Sequence, residues 1–165
     1  PAKPFLIKPN NHEVGRLFGA KPETPEECLP YARILHERGA ANVLVSCGGH
    51  GACLLDENGE EHITLCPPCR LVNATGAGDS MVAGFVAKTG AGADYETALN
   101  FASACGSATA SSKGLADRMK IDKLYSALGG VLEKHRDEIQ AALERAHAMV
   151  IDATPSESAA GGAVK

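Results

Sequence analysis

At residue 73 the chain reads Asn73-Ala74-Thr75-Gly76-Ala77-Gly78-Asp79, followed at once by Ser80-Met81-Val82-Ala83-Gly84-Phe85. The first part is a turn rich in glycine, and the second has the composition of a helix. Glycines at such a junction let backbone N–H groups converge on an anion without interference from Cβ atoms. The helix start adds partial positive charge at the same place. Asp79 then stands within reach of whatever carries the anion. A cradle for negative charge beside a carboxylate base is the minimum equipment for moving a phosphoryl group onto a hydroxyl. Alone, the same residues also describe a tight turn with an acidic residue near a helix dipole. The choice between the two depends on what the rest of the chain brings to that turn.

The elements around the turn follow from period and capping. Residues 5–8 form a short apolar run, stopped by Pro9. Residues 11–18 suit a short helix capped by Asn10 or Asn11. Residues 24–38 suit a longer one, with Thr24 and Glu27 spaced as a capping box and Gly39 as its stop. Strands are expected over 42–46, 52–55 and 61–65, with Asp56-Glu57-Asn58-Gly59 as a hairpin turn. Helices are expected over 79–89, 95–111 (capped by Asp94) and 120–128. In the second of these Ala102, Ala104, Gly106 and Ala108 permit close packing. Residues 131–150 carry Leu132, Ile139, Leu143, Ala146 and Val150 and predict one long amphipathic helix. Residues 154–165, rich in Ser, Ala and Gly, are expected to be disordered. Strands alternating with helices imply an α/β layer architecture with a largely parallel sheet. Ligands of such sheets bind beyond the strands' carboxyl ends. The loops after Lys8, Ser46 and Val72 all reach that side.

Bulk properties narrow the function. A chain of 165 residues with 44% hydrophobic residues can bury a core. A net charge of −4, with no dense Lys/Arg block, argues against nucleic acid as a partner. No apolar run is long enough for a bilayer helix, and no signal-peptide pattern opens the chain, so the expected setting is cytoplasmic and no membrane partner is expected. The first residue is Pro1 rather than Met, which suggests a fragment or a processed chain. Among six cysteines, Cys66-Pro67-Pro68-Cys69 and Cys47-x2-His50-x2-Cys53 have the spacing of zinc ligands. Small apolar thiols in a reducing compartment explain the same residues, and the turn between Cys47 and Cys53 favours that explanation.

Three loops carry signatures in order: Lys8-Pro9-Asn10-Asn11-His12-Glu13, Ser46-Cys47-Gly48-Gly49-His50-Gly51, and the turn ending in Asp79. Together they resemble the PfkB sugar-kinase family, whose fold is ribokinase-like, over residues 3–128. Gly106-Ser107-Ala108-Thr109-Ala110 and Gly114-Leu115-Ala116-Asp117-Arg118 bring the chain nearest to the family's phosphosugar kinases. The pair Ala74-Thr75 departs from them, where Ser-Val or Thr-Val is frequent. The resemblance implies an ATP-dependent kinase, with residues 1–130 as the nucleotide-binding C-terminal half and 131–153 as a helical extension. The acceptor it implies is fructose 1-phosphate, with tagatose 6-phosphate and fructose 6-phosphate as alternatives.

The resemblance also assigns roles. Asp79 would be the base that accepts the hydroxyl proton, and the N–H groups of Gly76, Ala77 and Gly78 would form the anion hole. Lys8 would reach the ATP phosphates, and Asn10 and Glu13 would bear on Mg²⁺ through water. Ser46, Gly48 and Gly51 would lie along the ribose and phosphates, and Ser103 and Ser107 would border the adenine. Potassium would stand beside the anion hole at Asn73, Thr75, Thr109, Ser112 and Gly114, mainly on carbonyl oxygens. The family's larger N-terminal half, with its sugar-phosphate residues and lid, is missing from this chain. A sheet cut there is expected to leave an open edge and an exposed apolar face, and so to associate as a homodimer or through that edge. The competing readings are a nucleotide-binding fragment without catalysis and a zinc module on Cys47, His50, Cys53, Cys66 and Cys69.

Overall fold

In the computed structural model, which describes residues 3–151, four strands and six helices follow one another along the chain. The strands are β1 (Leu6–Ile7), β2 (Asn42–Ser46), β3 (Ala52–Leu55) and β4 (Glu61–Thr64), hydrogen-bonded in that order. The helices are α1 (Asn11–Phe18), α2 (Pro25–Glu37), α3 (Ala77–Gly90), α4 (Tyr95–Ala110), α5 (Arg118–Lys134) and α6 (Arg136–Ala148). Residues 154–165, read as disordered from composition, lie outside the described residues.

The sheet is mixed rather than largely parallel. β1 pairs with β2 in parallel, whereas β2–β3 and β3–β4 are antiparallel. The reason is connection length. A parallel pairing needs a crossover, and only residues 8–41 provide one, as α1 and α2. A single 3₁₀ turn, Gly48–His50, joins β2 to β3. The Asp56 turn joins β3 to β4: Asp56 Oδ1 accepts from the N–H groups of Asn58 and Glu60, at 2.8 and 3.0 Å.

Alternation along the strands separates two cores. Val43, Val45, Cys53, Leu55 and Ile63 face α1 and α2, with Val14, Phe18, Cys28 and Leu29. Leu44, Ala52 and Leu54 face the other way, onto Met81 and Phe85 of α3 and Leu99 and Ala102 of α4. Asn42 is fully buried, and both ends of its side-chain amide are bonded. Its amide donates to the Phe5 carbonyl (2.9 Å), and its Oδ1 accepts from Glu57 N–H (3.1 Å). It ties β1 to the hairpin. Helices α3 and α4 approach closely because Gly84 and Gly106 face each other's helix. A Cβ on Gly84 would meet Cys105 Sγ at 2.7 Å, and one on Gly106 would meet Met81 Cγ at 2.4 Å.

The expected single helix over 131–150 is two helices. α5 packs on α4 through Leu124, Ala104 and Ala108, and the Phe101 and Tyr125 rings meet edge to face at 5.4 Å. The next apolar residues, Ile139, Leu143 and Ala146, belong to the opposite core, beside α2. One straight rod cannot bury both stripes. The chain turns at His135 (φ −108°, ψ 18°). Arg33 of α2 then holds the end of α6, donating to the Ala146 and Met149 carbonyls at 2.6 and 2.8 Å and pairing with Glu61. Val150, counted in the apolar stripe, lies past the helix end and is 93% exposed.

The two sheet edges differ as a result: α6 packs against β4, whereas nothing pairs with the outer side of β1 among the described residues. Phe5 beside it is 47% exposed. No helix among the described residues is long and apolar enough to cross a membrane.

Candidate functional site

Parallel pairing brings two of the three marked loops together. The register of β1 on β2 continues past the strands as a bridge between Asn10 and Ser46, and Ser46 N–H donates to the Pro9 carbonyl (3.2 Å). Lys8 therefore leaves β1 beside Ser46, and its ammonium donates to the Ser46 hydroxyl at 3.3 Å. Asn10 and Glu13 form a reciprocal capping box on α1. Asn10 Oδ1 accepts from Glu13 N–H at 2.8 Å, and a Glu13 oxygen accepts from Asn10 N–H at 2.7 Å. Both side chains are thus held at the loop by local bonds, and Glu13 keeps its second oxygen on the exposed side.

The third loop meets them at α3. Gly76 caps this helix in the left-handed region (φ +80°), with no side chain capping the first turn. Ala77 N–H turns back to the Ala74 carbonyl (3.2 Å). The N–H groups of Gly76, Gly78 and Asp79 have no protein partner among the described residues. The free donors at this helix start are therefore Gly76, Gly78 and Asp79, rather than the Gly76, Ala77 and Gly78 set read from the sequence. A Cβ on Gly78 would stand 3.1 Å from Lys8 Nζ, so the ammonium lies directly on the glycine backbone. Asp79, in the first turn of α3, is exposed, and its carboxylate makes no hydrogen bond or ion pair among the described residues.

Between the loops lies a cavity of about 360 Å³. Its walls include Ser46, Gly48 and Gly51 from the β2–β3 turn and Ala77 and Gly78 from α3. Ser103 and Ser107 of α4 line it as well. The Ser103 hydroxyl is committed to the Leu65 carbonyl (2.8 Å), which makes it a strut between α4 and the end of β4. Ser107 contacts Cys66 Sγ at 3.5 Å. Sequence reasoning missed Gly49, Cys66, Cys69, Leu71, Met81 and Gly106 as wall residues. The two cysteines carried a signal of the wrong kind, a metal spacing. Met81 and Gly106 look like ordinary helix packing until the helices are placed.

The potassium positions gather at the C-terminus of α4. The Ala110 carbonyl accepts from both Val72 N–H and Asn73 N–H, at 2.8 and 3.0 Å. Asn73 Oδ1 accepts from Thr75 N–H (3.0 Å). Thr109 Oγ1 meets Ser80 Oγ at 2.8 Å and accepts from Ala116 N–H at 3.4 Å. The Ser112 hydroxyl donates to the Ala108 carbonyl and accepts from the Lys120 ammonium, both at 2.8 Å. The side-chain oxygens of Asn73, Thr109 and Ser112 are thus already bonded within the protein, and Gly114 stands in open space.

The proposed zinc ligands are not assembled. Cys28 and Cys47 touch (Sγ–Sγ 3.6 Å) inside the core. Burial pushes the Cys53 thiol well up, and its contact with Cys28, followed by burial, does the same to Cys47. Cys69 is raised by partial burial and by Cys66 beside it. Raised in this way, Cys47, Cys53 and Cys69 hold their protons more tightly than an ordinary thiol. Among the described residues, the one cluster of metal-binding side chains is Asp56, Glu60 and His62. Its Asp56 is already bonded to two backbone N–H groups and to His62 Nε2 (3.0 Å).

A family model described as "pfkB family carbohydrate kinase" matches residues 1–122. The chain is 43% identical over 122 residues to a 1-phosphofructokinase of Bacillus subtilis, covering 74% of this chain and 40% of the relative. It is similar to phosphofructokinase-2 of Escherichia coli solved in complex with potassium (TM-score 0.66, 31% identity, 75% of this chain and 41% of that one). It is also similar to the ribokinase of Arabidopsis thaliana complexed with ribose and ATP (TM-score 0.64, 31% identity, 73% and 40%). The chain therefore spans about two fifths of the length of each of these relatives. With the cradle, the three loops and the ribokinase-like fold in agreement, the chain belongs to the pfkB family of carbohydrate kinases.

Proposed function

We propose that this chain supplies the ATP site and the catalytic base of a sugar-phosphate kinase that converts fructose 1-phosphate to fructose 1,6-bisphosphate. The observation that carries this reading is the convergence of the Lys8 ammonium on Ser46 and on Gly78 at the free start of α3, two residues that line one cavity. The cavity suits a nucleoside: its walls are mostly apolar, with glycines that admit close approach. The phosphates would then point at the Gly76–Asp79 turn, where Lys8 and the helix start meet negative charge. Asp79 faces outward from that turn, so a hydroxyl presented there can hand it a proton as the phosphoryl group arrives. Gly76, Gly78 and Asp79 N–H groups would hold the charge that develops on the transferred group.

Magnesium fits the exposed Asn10–Glu13 corner, held through water, and would neutralise phosphate charge there. Positive charge beside the cradle can come from potassium at Asn73, Thr75, Thr109, Ser112 and Gly114, or from a charge of the chain's own. The Lys120 ammonium already bonded to the Ser112 hydroxyl favours the second. The sugar side of the pocket needs a wall that these residues do not provide. The free edge of β1 suits a further strand, supplied by the rest of a kinase or by a second copy.

Two measurements test the reading. Calorimetry should show ATP binding to these 165 residues, with little turnover by them alone. In the protein that carries this chain, Asp79→Asn should lower kcat by about 10²–10⁴ with ATP affinity nearly kept. An Asp79→Asn variant with parental kcat would make this a nucleotide-binding fragment without catalysis. Higher kcat/KM for tagatose 6-phosphate or fructose 6-phosphate than for fructose 1-phosphate would replace the acceptor and leave the mechanism standing.

A further inference from the structure

Lys120 lies in the first turn of α5, ten residues beyond the end of α4, yet its side chain reaches back to the cap of α4. Its ammonium donates to the Ser111 carbonyl and, at 2.8 Å, to the Ser112 hydroxyl. The Asp117 cap fixes the start of α5: Asp117 Oδ1 accepts from Lys120 N–H at 2.8 Å. The side chain is half-buried. The oxygens it meets stand at the C-terminus of a sixteen-residue helix, where unpaired carbonyls concentrate partial negative charge. The same helix end is bonded to the approach of the cradle, through Ala110 to Val72 and Asn73, and through Thr109 to Ser80.

We propose that the Lys120 ammonium is a built-in monovalent cation at the α4–α5 loop, so that this chain needs no potassium there. The inference rests on the nucleotide reading above for its consequence, not for its geometry. Potassium and an alkylammonium make the same demand on a protein: a single positive charge satisfied by carbonyl and hydroxyl oxygens. Here the tethered charge already sits on the hydroxyl oxygen of Ser112, one of the residues beside which a free ion would stand. A second cation bound at that oxygen would face the ammonium at close range in a half-buried loop, where like charges repel strongly. Lys120 is a positioning residue in this account. It neutralises the end of α4 and so holds the Ala110 and Thr109 contacts that place the Gly76 turn.

The test compares potassium chloride with tetramethylammonium chloride at equal ionic strength, since the organic ion is too large for the loop. Melting temperature and ATP affinity are measured for the parent, Lys120→Ala and Lys120→Arg. The parent and Lys120→Arg should give the same values in both salts. Lys120→Ala should lose about tenfold in ATP affinity in tetramethylammonium, recover it in potassium, and melt higher in potassium by mass action. A purely structural lysine would be damaged by the substitution but not rescued by an ion. A parent protein that gains melting temperature or affinity specifically from potassium overturns the proposal. So does a Lys120→Ala variant that potassium fails to restore, or one indistinguishable from the parent. ATP binding to none of the three proteins in either salt would overturn the nucleotide reading instead, while the melting temperatures still decide the cation question.

Discussion

Two glycines on opposite walls of the same cavity are indispensable for different reasons. Gly51, at the exit of the β2–β3 turn, has φ +97°, and a Cβ there would lie 2.1 Å from the Thr64 carbonyl oxygen and 2.8 Å from Leu65 Cα. The obstruction is backbone belonging to β4 and its exit, which cannot move without breaking the sheet. Gly78 sits inside the first turn of α3, where a side chain is sterically ordinary. Its Cβ would meet only the tip of Lys8, at 3.1 and 3.2 Å. One wall is glycine because the fold has no room. The other is glycine because an ammonium lies on it. A glycine in a cavity wall can thus belong to folding or to binding, and the atoms that a Cβ would strike tell which.

The largest effect should come from Gly51→Ala, which carries both a disfavoured φ and a backbone clash. A loss of about 3 kcal/mol or more is expected, read from the urea midpoint. The comparison breaks if Gly51→Ala folds with parental stability and only ATP affinity falls.

Gly78→Ala should do the reverse. Alanine is favoured over glycine in a helix by roughly 1 kcal/mol, so stability should hold or rise slightly. Lys8 must shift by a few tenths of an ångström and loosen its bond to Ser46. ATP affinity should fall about tenfold, near 1.4 kcal/mol. If the Lys8 contact is the cause, Gly78→Ala should cost almost nothing in a Lys8→Met background. Additive losses in that double-mutant cycle would show that Gly78 acts through something other than Lys8.

The sequence made different parts of this molecule legible to different degrees. The two capping boxes, Asn10 with Glu13 and Thr24 with Glu27, are satisfied within three residues, so spacing alone announces them. The Gly76 turn and α3 are legible for the same reason: a backbone demand and its answer lie side by side. The direction of the strands was not. Alternating apolar residues fit either sense, and only the shortness of the turns after Ser46 and Leu55 makes two of the three pairings antiparallel. The break at His135 was hidden because apolar residues continue across it on paper, while Leu124 before it packs on α4 and Ile139 after it joins the core beside α2. The cavity walls from Cys66 and Met81, and the reach of Lys120 to Ser112, depend on helix packing that no local pattern encodes. What was missed in the site is therefore long-range, and what was found is either local or carried by the family resemblance.

The smallest effect sharpens the contrast from the face away from the cavity. Thr24 Oγ1 accepts from Glu27 N–H at 3.3 Å, and Glu27 Oε2 accepts from the N–H groups of Glu23 and Thr24. Those backbone bonds hold the Glu27 carboxyl below its ordinary range. A depressed folded-state pKa contributes stability that is present above the ordinary carboxylate value and lost as pH falls through the folded one. Thr24→Ala should cost about 1 kcal/mol at neutral pH, with ATP affinity unchanged because α2 packs on the far side of the sheet. It leaves the two backbone bonds to the Glu27 carboxylate in place, so most of the acid-dependent decline of the parent should remain. Glu27→Gln should remove that portion of the decline, a small one because the carboxylate is exposed and screened. Denaturant midpoints at pH 7 and pH 3.5 measure both. A Glu27→Gln variant with the full acid slope would place the acid sensitivity elsewhere in the chain. A change in ATP affinity in either variant would mean that the two faces of the sheet are coupled, and the division between folding glycines and binding glycines would have to be redrawn.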